Sequence, residues 1–111
     1  MDAREEFLKA LEEQKREYRR TLDGRISGME LLWSTLSGSA ARAELERLER
    51  TAHSLAGSGA VFGYARLSEQ ARALEHRLHD FVSGAAMPAG TERAAVARSI
   101  AGLRDCVKDS G

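Results

Sequence analysis

The residue best equipped for chemistry is His53, in the run TAHSLAGSGAVFG spanning 51–63. A neutral imidazole keeps one lone pair at physiological pH and can act as nucleophile, base or metal ligand. Three glycines follow it, Gly57, Gly59 and Gly63, although glycine costs a helix roughly 1 kcal/mol relative to alanine. At about 100° per residue the apolar face of this segment centres between Leu48 and Leu55, and His53 lies on its flank. Ahead of the ring come only Ala56, Gly57 and Ala60, so the side chain that normally shields a helical imidazole at i+4 is missing. Two readings follow: the ring must be reachable by something large, or it is a surface histidine beside a fraying helix end.

Other candidates carry weaker signals. His76, His79 and Asp80 are spaced for one metal ion, but such a trio on an exposed helix is equally a solvated polar face. Gly57-x-Gly59-x-x-x-Gly63 lacks the preceding strand of a nucleotide-binding loop, and the lysine that a Walker loop also needs. Cys106 is the single cysteine, which excludes an internal disulfide and a cysteine metal cluster, and reads as a small hydrophobe. Trp33 reads as a packing anchor, and Arg19, Arg20 and Arg25 form a modest basic cluster, either steering an acidic partner or simply solvated.

The elements that position these residues are helical. Phe7, Leu8, Leu11, Tyr18 and Leu22 mark one amphipathic face; Asp23-Gly24 and Gly28 should weaken or kink it before a second face at Met29, Leu32, Trp33 and Leu36. Residues 37–39 read as a loop with Ser39 as N-cap. A helix from Ala41 carries Leu45, Leu48, Ala52, Leu55 and Phe62; after a break near Gly63 the next carries Leu67, Ala71, Leu74, Leu78, Phe81 and Val82. SGAAMPAG is a linker, and Thr91 is expected to cap a last helix bearing Val96, Ile100, Leu103 and Val107. No strand-like alternation is sustained. The pattern predicts an all-α antiparallel bundle of four or five helices in one domain, residues 1–111.

Composition narrows the function classes. Seventeen basic residues balance seventeen acidic ones, so no net field draws the chain to nucleic acid or anionic membrane. No apolar run approaches the roughly 20 residues of a membrane span, and the charged N-terminus is no secretory signal. A soluble, cytoplasmic protein is the default expectation, and Met1 leading directly into a helix favours a complete small protein.

Residues 52–75, AHSLAGSGAVFGYARLSEQARALE, resemble the signature of histidine-containing phosphotransfer (HPt) domains through His53, Leu55, Gly57, Ser58, Gly63, Leu67, Ser68, Leu74 and Glu75. The resemblance implies an up-and-down four-helix bundle with an additional N-terminal helix. It implies a monomeric phosphocarrier rather than an enzyme, shuttling a phosphoryl group through His53 between receiver-domain aspartates or from a histidine kinase. It also implies that Glu75 orients the imidazole and that the partner supplies Mg²⁺ while this chain binds no metal or cofactor; the small-residue patch beside the ring, Ala56, Gly57 and Ala60, is where a receiver is expected to dock. Many relatives carry a lysine three residues after the histidine, where this chain has Ala56; Arg50, one turn back, is the candidate substitute for its charge. The alternative class is a non-phosphorylated bundle that regulates a signalling partner by binding alone.

Overall fold

The computed structural model describes residues 2–36, 38, 41–84 and 88–109. Four helices are present among them: α1 (Ala3–Ser34), α2 (Ala41–Val61), α3 (Ala65–Ser83) and α4 (Gly90–Asp109). Each packs on its chain neighbours, and α1 closes the bundle against α4.

The additional N-terminal helix is absent as a separate element, because α1 runs unbroken through Gly24 and Gly28. Tyr18, Leu22, Ile26, Met29 and Trp33 recur at spacings of three and four and are all buried. That continuous stripe outweighs a glycine cost of roughly 1 kcal/mol at each of two exposed positions. Asp2 caps the start, accepting from the Glu5 amide at 2.8 Å. The start of the helix is open to solvent: Phe7 and Leu8, expected on the apolar face, are 65% and 48% exposed, whereas Leu11 is half-buried.

Arg104 on α4 ties that helix to α1, reaching Asp23, Ser27 and Glu30. Trp33 is the expected anchor: it is buried, its indole N–H donates to the Arg93 carbonyl at 3.1 Å, and the Arg93 guanidinium covers its ring. Cys106 is buried in the core. α4 begins at Gly90, so Thr91 lies inside the first turn instead of capping it. The expected Ser39 cap falls outside the described residues.

The α2–α3 hairpin carries the site. Gly63, at φ +86°, makes the turn after α2. The Tyr64 amide donates to the Gly59 carbonyl at 2.7 Å and the Gly63 amide to Ala60 at 3.4 Å, the paired bonds of a Schellman motif. Gly59 lets the two helices approach, since a Cβ there would sit 3.3 Å from the Ser68 nitrogen. Ser68, a buried polar residue, donates to the Ala56 carbonyl at 2.6 Å and so satisfies its own hydroxyl inside the seam.

Candidate functional site

His53 stands midway along α2, pointing toward α3, with its side chain 76% exposed. Its Nδ1 lies 2.7 Å from Oε2 of Glu75, which is itself 26% exposed and projects from the middle of α3. A carboxylate facing Nδ1 requires the proton on that nitrogen, so the Nε2 lone pair is left directed outward. A carboxylate so placed can also compensate positive charge on the ring.

Gly57, one turn ahead of His53, is exposed, and a Cβ added there would meet nothing within 4 Å. Nothing inside the chain therefore demands a glycine at this place; what it preserves is open surface beside the ring. Ala60 continues this small-residue surface. Ala56 does not belong to it. Ala56 is buried against α3, because α2 also buries the edge that faces α3 besides its Leu48–Leu55 stripe. A lysine at this position would have to emerge from the helix seam.

Positive charge is found on the other side of His53. Arg50 lines a shallow cleft between α1 and α2 together with Arg25, Arg47, Thr51 and Ser54. No carboxylate pairs with these three arginines among the described residues. Arg25 lies 6.0 Å over the ring of Tyr18. Arg19 and Arg20 take no part in this cleft; Arg20 pairs with Glu17 at 2.9 Å.

Support beneath the site comes from a residue whose part is not visible in the sequence. Ser58 donates to the Ser54 carbonyl at 2.8 Å, leaving its oxygen to accept from the Tyr18 phenol, also at 2.8 Å. Tyr18 stacks on Phe62 with centroids 4.5 Å apart, and burial pushes its phenol above the ordinary range. This fixes the turn of α2 that carries Gly57.

The same seam holds a second pair. His79 on α3 places Nδ1 2.7 Å from Oε1 of Glu49 on α2, with side-chain exposures of 60% and 22%. His79 therefore engages a carboxylate of the neighbouring helix instead of joining His76 and Asp80 around a metal, and no group of three ligating side chains converges among the described residues.

The chain matches the family model described as the Hpt domain over residues 2–109. No curated protein and no solved structure matches it.

Proposed function

The chain belongs to the Hpt domain family, phosphocarrier modules of two-component signalling, and on that premise we propose that His53 is its phosphoacceptor. The observation that carries this reading is the His53–Glu75 contact at 2.7 Å on a ring whose Nε2 faces open surface. The Nε2 lone pair attacks phosphorus of a receiver aspartyl phosphate. The N–P bond forms as the P–O bond to the aspartate breaks, and the departing carboxylate keeps that electron pair. Glu75 holds the Nδ1 proton throughout and offsets the cationic ring. Transfer onward to a second aspartate is the reverse of these steps. Magnesium, bound by the receiver, supplies charge neutralisation at the phosphoryl oxygens.

A receiver docks across α2 over Gly57 and Ala60, with Arg50 at the edge of the contact. The partner is a receiver domain or a histidine kinase, and the carrier works as a cytoplasmic monomer. Its acceptor ring has cations from the α1–α2 cleft on one side in place of the lysine that Ala56 displaces.

The test is transfer from a phosphorylated receiver with magnesium. Wild type gains acid-labile, base-stable phosphate that maps to His53, whereas His53→Gln gains none at position 53 and little in total. Tight receiver binding with no transfer to wild type from any cognate donor would replace this reading with the binding-only regulator.

A further inference from the structure

Two helices carry the same spacing, Glu49-Arg-Thr-Ala-His53 on α2 and Glu75-His-Arg-Leu-His79 on α3, separated by 26 positions. On an antiparallel seam this repeat exchanges partners: each glutamate reaches the other helix's histidine, both at 2.7 Å and both through Nδ1. We propose that His79 is a second phosphoryl-accepting histidine, oriented by Glu49 and served by small phosphoryl donors such as phosphoramidates and acyl phosphates. The inference extends the chemistry assigned to His53 but rests on different residues.

The tautomer is set as at His53. Glu49 requires the proton on Nδ1, and Ser83 Oγ, 3.2 Å from Nε2, donates to the lone pair on the other nitrogen. That bond is long and Ser83 is exposed, so turning the hydroxyl about χ1 uncovers Nε2 at small cost.

His79 lies in the closing turns of α3, where unpaired carbonyls repel an anion. Arg42 answers this: its guanidinium donates to the Val82 carbonyl, three residues beyond His79. The second dyad thus has a cation from α2 hydrogen-bonded to the backbone one turn beyond its histidine.

Phosphoramidate reacts through its N-protonated form, so the nitrogen that departs already carries three hydrogens. Nε2 forms the bond to phosphorus, the P–N bond breaks, and ammonia leaves with the electron pair. The ring becomes cationic and shares its Nδ1 proton with Glu49. A donor of this size needs none of the open surface that a protein donor requires around Gly57.

His76 is the internal control, being exposed on the same helix with no hydrogen bond or ion pair among the described residues. The intact chain is incubated with phosphoramidate at neutral pH, and occupancy at each histidine is followed by mass spectrometry under conditions that retain phosphohistidine. His79 should label about five- to tenfold faster than His76, and Glu49→Gln should bring it down to the His76 rate. Ser83→Gly should raise the His79 rate about two- to threefold, by roughly the share of time that the hydroxyl covers Nε2. Circular dichroism and His53 labelling report on folding in each variant. Equal rates at His79 and His76 in wild type, or an unchanged His79 rate in Glu49→Gln, overturn the proposal. Failure of receiver transfer to His53 is a separate result, because donor and residue both differ.

Discussion

His53 and His79 hold the same kind of partner at the same 2.7 Å, on two faces of one helical seam. What separates them is the residue four positions ahead. Gly57 leaves His53 open toward a neighbour of protein size, whereas Ser83 places a hydroxyl on Nε2 of His79. His53 also stands in the middle of its helix, where a flat surface can be presented, and His79 near the end of one. Orientation of an imidazole is thus cheap to build twice on an antiparallel hairpin. Open surface around the ring is the property that the chain has built once.

The largest effect expected on this comparison comes from exchanging the carboxylates one at a time. Glu75→Gln should slow receiver transfer to His53 about 10- to 100-fold, the range for removing a carboxylate that orients an imidazole. Glu49→Gln should leave that transfer within about twofold. Equal losses in the two variants, measured by single-turnover transfer, would mean that the dyads act as one structural clamp.

Next in size is the loss of access. Gly57→Lys should lower transfer from a receiver by about tenfold while altering phosphoramidate labelling of His53 far less, since only the large donor needs the surface. If both donors slow together, the substitution has disturbed the ring itself.

A smaller effect separates the two neighbouring glycines. Gly57→Ala should raise stability by about 0.5–1 kcal/mol, because its Cβ enters open space and the unfolded chain loses freedom. Gly59→Ala should gain none of this, since its Cβ would press on the Ser68 backbone at 3.3 Å. Urea denaturation measures both, and a gain at Gly59 would show that the seam can widen without harm to either dyad.

The smallest concerns the support under His53. Tyr18→Phe should cost about 0.5–1 kcal/mol at neutral pH through its bond to Ser58. The folded phenol titrates above its ordinary value near 10. The stability linked to this shift is therefore complete below pH 10 and lost as the pH rises through the folded value. Wild type should lose stability in that range faster than Tyr18→Phe, as denaturation at about pH 9 and about pH 11 would show.

The helices and the His53 dyad are both legible in the sequence, for different reasons. Leu45, Leu48, Ala52 and Leu55 recur with helical spacing, a local signal, whereas Glu75 is identified through the 24-residue motif at 52–75 and by no local rule. The continuity of α1 is hidden because glycine's cost is visible residue by residue, while its compensation through Ile26, between Leu22 and Met29, is a tertiary property. The burial of Ala56 is hidden for a related reason: a helix packed on two sides buries more than one stripe, and a single apolar centre understates its buried arc. The Glu49–His79 pair stays out of sight as long as each histidine is read against its own helix. It becomes visible only when the repeated Glu-x-x-x-His spacing is combined with an antiparallel register.

The exposed start of α1 has a consequence for how the chain breathes. Its first two turns, residues 3–10, are exposed throughout, Leu11 and Lys15 are half-buried, and full burial on the inner face begins at Tyr18. A stretch of that length held by its own hydrogen bonds and one Asp2 cap is marginal in water. Amide protons there should exchange within seconds to minutes, with a sharp rise in protection near Tyr18. The helix is uniform in geometry and divided in lifetime, and the division falls where the platform beneath His53 begins.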